Sequence, residues 1–215
     1  MLKIDIVADI VCPWCFIGKR RLETAIAMVL RENPDFRHET RWRPFFLNPH
    51  TPPEGEPYMP FLEHKFGSRA AVDALFERVR EAGRAYGIDY AFEKIRLRAN
   101  TLQAHRLIHW AQQRGNADAL VERLFVAQFQ RGEAIGEPAT LTRLAAECGY
   151  ATDEVAAYLA SETDTDTVRE DERNIRATGI RQVPTFILDE HRVIVGAEDP
   201  ATLATAIRQM PGFRK

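Results

Sequence analysis

The N-terminal segment constrains the fold most strongly, because a strand-like run passes directly into a helix with two cysteines at the junction. Within Leu2–Ile10 apolar residues alternate with polar ones, a pattern typical of a β-strand. Within Ile17–Leu30 apolar residues recur at helical spacing, and Asn33-Pro34 ends this helix. Alternating and aromatic residues in Phe36–Leu47 predict a second strand. The segment is therefore predicted to form a βαβ unit with a short first connection.

A proline-rich stretch follows this unit. Residues Asn48–Pro60 contain five prolines, which predicts a loop and a domain boundary. Apolar residues then recur at helical spacing for about a hundred residues, with glycine-containing breaks between the helices. The last helices predicted in this block are Leu141–Cys148, Asp153–Leu159 and Thr165–Ala177. We expect the block to be a helical domain of its own.

The C-terminal residues change character again. Val183–Leu188 and Arg192–Val195 are short β-rich runs joined by Asp189-Glu190-His191, and they predict a hairpin. Asp199-Pro200 then supplies an N-cap and a first-turn proline for a closing helix. The order of elements is βαβ, helical block, ββα, which predicts an α/β protein interrupted by a helical insertion.

Composition and charge argue against several classes of partner. The chain has 29 basic and 31 acidic residues, a formal net charge of -2, and both signs are interspersed along it. We therefore expect no nucleic-acid partner and no binding to an anionic membrane. The N-terminal residues lack the features of a signal peptide, and no segment approaches the roughly 20 apolar residues of a membrane span. We expect a cytoplasmic protein, in which a free cysteine pair cycles between thiol and disulfide.

Cys12 and Cys15 are the residues with the clearest chemistry. Two cysteines in a C-x-x-C spacing at a helix start lie on the same side of one turn and can close a small disulfide ring. Cys12 is predicted at the helix N-terminus, where backbone N–H groups and the helix dipole stabilise a thiolate, so we predict that it is the nucleophile. Cys15 is one turn deeper, beside Trp14, and is predicted to be more buried, to have the higher pKa and to resolve the mixed disulfide. Pro13 fits the first helical turn, where its missing N–H costs nothing.

A zinc site or two incidental buried thiols are the alternatives for this pair. Zinc takes four ligands, usually from a second cysteine pair or a histidine pair at short spacing. The chain offers only Cys148 and scattered histidines for that purpose, so we predict no metal site. Cys148 lies in an apolar helical run and is predicted to be a buried small hydrophobe.

Four segments, spread over nearly the whole chain, carry a resemblance to a known family. They are Asp9–Lys19 around the two cysteines, Trp42–Pro49, Asn100–Arg106 and Gly179–Phe186. Together they resemble the DsbA-like thiol–disulfide oxidoreductases of the FrnE branch. The resemblance implies a thioredoxin-like fold formed by residues 1–50 and 176–215, with an all-helical domain of residues 51–175 inserted between them. It also implies that the Val183-Pro184 bond is cis and faces the cysteines, where the backbone of Val183 can pair with an extended substrate.

The residues at two places in the sequence differ from those of related proteins. Strongly oxidising relatives carry a histidine between the cysteines, whereas Pro13-Trp14 stands here. One pKa unit of thiolate stabilisation is about 1.4 kcal/mol, or roughly 30 mV for a two-electron couple, so we expect a milder oxidant or a reductase. Ile6 stands where thioredoxins have a buried aspartate, and Asp9 lies nearer to the cysteines. Asp9 either shuttles a proton or orders the loop before Cys12, and we favour ordering.

Further candidates for substrate contact follow from the resemblance. It places His105 near the active-site face, and it places Asn48, Gly196 and Glu198 where related proteins hold glutathione. We expect no required cofactor, with glutathione as a candidate co-substrate. The expected partner is a thiol or disulfide substrate, either a protein or a small molecule, and the sequence is compatible with an oligomer.

The leading hypothesis for function is disulfide exchange through Cys12-Pro13-Trp14-Cys15. In related 2-hydroxychromene-2-carboxylate isomerases and kappa-class glutathione transferases a serine replaces the first cysteine, so a glutathione-dependent isomerase or transferase is the alternative. A third hypothesis is a non-enzymatic holdase or partner-binding module, whose surface would be the proline-rich stretch with Phe61 and Phe66.

Overall fold

A mixed four-stranded sheet lies at the centre of the protein, as seen in a computed structural model that describes residues 1–211 and 213. The strands, in chain order, are β1 (Leu2–Ala8), β2 (His38–Pro44), β3 (Glu56–Pro57), β4 (Leu97–Arg98), β5 (Thr185–Leu188) and β6 (Arg192–Val195). The sheet has the order β2-β1-β5-β6, with β1 parallel to β2 and antiparallel to β5, and β6 antiparallel to β5. β3 and β4 form a separate antiparallel ribbon. The βαβ unit and the C-terminal hairpin predicted from the sequence are both present.

Helices cover both faces of this sheet. In chain order they are α1 (Pro13–Glu32), α2 (Tyr58–Phe66), α3 (Arg69–Arg84), α4 (Leu102–Gln112), α5 (Asp118–Val126), α6 (Pro138–Glu147), α7 (Thr152–Ala160), α8 (Thr165–Ala177) and α9 (Pro200–Arg208). α1 and α9 pack together over the main core, and α8 packs against β2 over a second cluster that includes Val7 and Ile175. This is a thioredoxin-like fold with a helical insertion, as predicted. Among the described helices, none has both the length and the apolar character of a membrane-spanning segment.

α1 places the two cysteines. It begins at Pro13 because a first-turn proline has no N–H to satisfy, and it ends at the cap residue Asn33. Its buried face includes Phe16, Ile17 and Leu22. Burial of each such side chain contributes about 1.5–3 kcal/mol, so apolar packing holds the start of α1 at one position on the sheet.

The helical insertion is joined to the sheet through the edge strand β2. The Trp42 backbone N–H donates to Gln112 Oε1 at 2.6 Å, and Gln112 Nε2 donates to Trp42 O at 3.1 Å. The Trp42 indole N–H also donates to Asp118 Oδ1 at 2.7 Å. Side chains of α4 and α5 thus take the place of a further strand and protect this edge from pairing with another chain.

Three details of the insertion differ from the sequence prediction. The loop that was predicted to run to Pro60 ends earlier, because α2 begins at Tyr58 and a proline in the first turn interrupts no helical hydrogen bond. The β3–β4 ribbon is also present, and strands of two residues are too short to show a period. Cys148 is half-buried rather than buried, because α6 ends at Glu147 and Cys148 falls on the cap instead of the inner face.

Candidate active site

Cys12 and Cys15 lie at the junction of β1 and α1. Cys12 is the N-cap of α1, and the Cys15 N–H donates to Cys12 O at 3.0 Å. Both are free cysteines, with 5% of Cys12 and 1% of Cys15 exposed. The N-terminus of α1 is therefore directed at Cys12, the less buried of the two neighbouring thiols.

The two thiols differ in their surroundings. Burial raises the pKa of the Cys15 thiol well above its ordinary value, and the neighbouring Cys12 raises it further. A hydrogen bond with the Asp9 backbone acts in the opposite direction but is the smaller effect. Cys15 is thus the more deeply buried thiol and holds its proton, in agreement with the sequence prediction.

The loop before β5 faces Cys12. The Val183-Pro184 peptide bond is cis, and the Cys12 thiol donates to Val183 O at 3.8 Å. The Gly196 N–H donates to Pro184 O at 2.8 Å and ties this loop to the end of β6. Gly18 allows the loop to lie against α1, because a Cβ at that position would be 2.7 Å from Pro184 Cγ. The role of Gly18 was not predicted from the sequence, although a glycine inside a helix is a signal of close approach.

A buried pair lies behind the cysteines. Asp9 is 1% exposed and its Oδ1 lies 3.3 Å from His105 Nε2, while its Oδ2 accepts a hydrogen bond from the Leu47 N–H at 2.8 Å. The Asp9 carbonyl also accepts from the Cys12 N–H at 3.0 Å. His105 therefore lies next to the cysteine loop. These bonds favour a role of Asp9 in ordering that loop.

Tyr90 is a neighbour of the cysteines that the sequence analysis missed. Its hydroxyl donates to Pro13 O at 2.6 Å, and burial, with a further contribution from both thiols, raises its pKa far above the ordinary value. The ring stacks on Phe92 at 5.0 Å between centroids and meets Phe16 edge-on. Gly83 makes room for it, because a Cβ there would lie 2.5 Å from the Tyr90 ring. The link between Tyr90 and Pro13 spans 77 positions, so no local pattern in the sequence could reveal it.

A cavity of about 240 Å³ opens beside the cysteines, between α2, α3 and the start of α1. Cys12, Pro13, Trp14 and Asn48 all line it. The other two predicted glutathione contacts are elsewhere: Gly196 and Glu198 lie in the connection from β6 to α9 and are not part of the lining formed by the described residues. Nowhere in residues 1–211 or at residue 213 do three His, Cys, Asp or Glu side chains come together to hold a metal ion.

Comparison with known proteins decides the family. Residues 3–208 match the family model described as a DSBA-like thioredoxin domain. The chain belongs to this family. DSBA-like proteins include oxidoreductases that act on thiol and disulfide substrates.

Solved structures support this DSBA-like assignment over the whole chain. The structure is similar to that of a probable DsbA oxidoreductase from Streptomyces coelicolor, with 30% identity and a TM-score of 0.86, covering 97% of this chain and 89% of the other. The cytosolic disulfide reductase DsbM from Pseudomonas aeruginosa, solved with GSH, has 17% identity and a TM-score of 0.63, with 96% and 97% covered. A 2-hydroxychromene-2-carboxylate isomerase has 16% identity and a TM-score of 0.64, also with 96% and 97% covered. The last two share the fold.

Proposed function

We propose that this DSBA-like protein is a thiol–disulfide oxidoreductase that works through Cys12 and Cys15. The observation that carries the proposal is the position of the Cys12 thiol, at the N-terminus of α1 and 3.8 Å from Val183 O, with Cys15 buried one turn deeper in the same helix. A thiol at a helix N-terminus is a good nucleophile, and a second thiol behind it can displace whatever the first has bound.

In the reductive direction the Cys12 thiolate attacks one sulfur of a substrate disulfide, and the other substrate sulfur leaves as a thiolate. Cys15 then loses its proton to solvent or to the departing thiolate and attacks Cys12 Sγ. This step releases the second substrate thiol and leaves a Cys12–Cys15 disulfide, so the substrate gains the two electrons that the dithiol loses. Val183 precedes the first residue of β5, and its backbone is the candidate partner for an extended substrate during the attack.

We propose glutathione as the thiol that regenerates the reduced enzyme, and the cytoplasm as its location. Two glutathione thiols would reduce the Cys12–Cys15 disulfide and become one glutathione disulfide. The position of Asn48 beside Cys12 in the cavity lining supports this, and Gly196, which is bonded to the facing loop, is the second candidate contact with Glu198 next to it. The pair Pro13-Trp14, without a histidine, favours the reductive direction.

Insulin reduction with glutathione as the electron source tests the proposal. The wild-type protein and Cys148→Ser should be active, whereas Cys12→Ser and Cys15→Ser should each lose more than about 90% of the rate, because each lacks one of the two sulfurs that the exchange needs. Full activity of Cys12→Ser would refute the proposal. Isomerase activity that needs glutathione and survives Cys15→Ser would instead indicate the isomerase alternative, and protection of an aggregating client by a variant without cysteines would indicate the holdase.

A further inference from the structure

The cavity beside Cys12 has an apolar wall that belongs to the helical insertion. α2 has no buried residue, and Tyr58, Phe61 and Phe66 of this helix line the cavity. Phe76 of α3 lies across from them and stacks against Phe92 at 4.1 Å between ring centroids. Tyr58 of α2 stacks on Phe76 at 6.3 Å between ring centroids, while Phe61 and Phe66 face the cavity that Cys12 also lines.

Gln128 is a buried polar group on this wall. It lies in a π-helical turn, Ala127–Arg131, that follows α5, and only 3% of the residue is exposed. In the described part of the chain its side-chain amide forms no hydrogen bond, although it borders the cavity. The Gln128 amide atoms are not among the fully enclosed polar atoms of the described residues, so a ligand can reach them, and single π-turns are frequent at functional sites. The amide N–H₂ is therefore available to donate to an oxygen atom of a bound molecule.

The charged groups of the lining are positive. Lys65 is exposed at the edge of the cavity and has no ion pair among the described residues, and Arg98 lies over the Phe61 ring at 3.6 Å. Arg98 is paired with Glu56, which is outside the lining, and no described aspartate or glutamate belongs to the lining itself. The electrostatic preference of the cavity is therefore for a negatively charged ligand.

We propose that this cavity selects small aromatic disulfides and thiols that carry a carboxylate. Its volume of about 240 Å³ lies below the range of about 300–1,000 Å³ that holds drug-sized ligands, so the ligand is small. The ring would pack among Phe61, Phe76 and Trp14, the carboxylate would accept from the Gln128 amide and face Lys65, and the sulfur would meet Cys12. The inference rests on the proposed dithiol function and names its substrate class.

The chemistry balances as a two-electron exchange. Cys12 displaces one arylthiolate from the aromatic disulfide and forms a mixed disulfide, and Cys15 then displaces the second arylthiolate from Cys12. One aromatic disulfide becomes two arylthiols while the dithiol becomes the Cys12–Cys15 disulfide.

Three probes test the selection. The first is para-dithiodibenzoate, which is aromatic and anionic; the second is para-dithiodibenzamide, which is aromatic and neutral; the third is dithiodiglycolate, which is anionic and has no ring. Each rate of thiol release by the reduced protein, in a Cys148→Ser background, is divided by the rate with free dithiothreitol to remove intrinsic reactivity. We expect the normalised rate for dithiodibenzoate to exceed the other two by about tenfold, as one hydrogen bond to a charged group and a buried ring would provide.

Two matched pairs of variants locate the effect. Gln128→Leu should reduce the ratio of the anionic to the neutral aromatic probe by about fivefold. Gln113→Leu, at the exposed cap residue that follows α4, should leave this ratio unchanged. Lys65→Gln should reduce the same ratio by about twofold at low salt and less at high salt, whereas Lys94→Gln should not. Lys65 is exposed, so its variant tests the charge effect even if Gln128→Leu folds poorly.

The outcomes separate the two proposals. A wild-type protein that reduces neither insulin nor any probe would refute the dithiol function itself. Insulin reduction with equal normalised rates for all three probes, or with a ratio that neither Gln128→Leu nor Lys65→Gln changes, would refute the selection alone. Faster reduction of a protein disulfide that dithiodibenzoate does not inhibit would also overturn it, since the cavity would then play no part in substrate binding.

Discussion

Tyr90→Phe isolates one bond between the helical insertion and the cysteine turn. The substitution removes the hydroxyl that donates to Pro13 O at 2.6 Å and keeps the ring that stacks on Phe92. Tyr90 is 4% exposed, so water cannot easily replace the lost donor. We expect the folded state to lose the net contribution of one buried hydrogen bond.

The magnitude follows from that single bond. A hydrogen bond of this kind contributes about 0.5–1.5 kcal/mol to the free energy of unfolding. For a protein of 150–250 residues, a change of about 1 kcal/mol shifts the midpoint of thermal unfolding by about 2–4 °C. Tyr90→Phe should therefore lower Tm by about 1–6 °C in the reduced protein.

Circular dichroism during thermal unfolding measures this shift. Tyr86→Phe is the matched control, because the Tyr86 hydroxyl has no hydrogen bond within the described residues and Arg21 lies over its ring. Equal Tm values for the two variants would refute the argument, because the Tyr90 hydroxyl would then contribute nothing to holding the cysteine turn. A lower Tm for Tyr90→Phe with an unchanged rate of Cys12 alkylation would limit its role to stability.

Three further predictions concern the same site. Because burial raises the pKa of Cys15, the folded state binds this proton more tightly than the unfolded state does. In a Cys148→Ser background, the urea midpoint of the reduced protein should therefore fall as pH rises above about 8.5, and Cys15→Ala should remove that decline. Gly18→Ala places a Cβ 2.7 Å from Pro184 Cγ, which costs about 1–3 kcal/mol in overpacking and gains about 1 kcal/mol in helix propensity. Insulin reduction should therefore fall by at least half, and an unchanged rate would show that the loop around Pro184 adapts. Asp9→Ala leaves the Leu47 N–H and His105 Nε2 without their carboxylate partner and should lower the free energy of unfolding in urea by about 1–3 kcal/mol. Asp9→Asn keeps an acceptor oxygen and should lower it less, and equal effects of the two variants would contradict the ordering role.

Local sequence patterns were sufficient to predict much of the fold. The strand, helix and strand of the N-terminal unit and the C-terminal hairpin were predictable because period-two and helical spacings extend over several residues in each element. Pro13 and Asn33 mark the ends of α1 through backbone chemistry alone. The short β3–β4 ribbon was not predictable in this way, since it depends on pairing with a segment far along the chain. The start of α2 was not predicted because the prolines around it are typical of a loop.

The candidate site also has residues that the sequence predicts and contacts that only the structure shows. Cys12 and Cys15 could be identified from the sequence, because their spacing and their position at a helix start are properties of neighbouring residues. The contacts of Asp9 with His105 and of Tyr90 with Pro13 link positions 96 and 77 residues apart, and the open amide of Gln128 depends on which helices leave a space beside it. The sequence by itself thus determined which atoms do the chemistry, while only tertiary packing decided what surrounds them, because burial, hydrogen bonding and cavity shape come from residues that the chain brings together on folding.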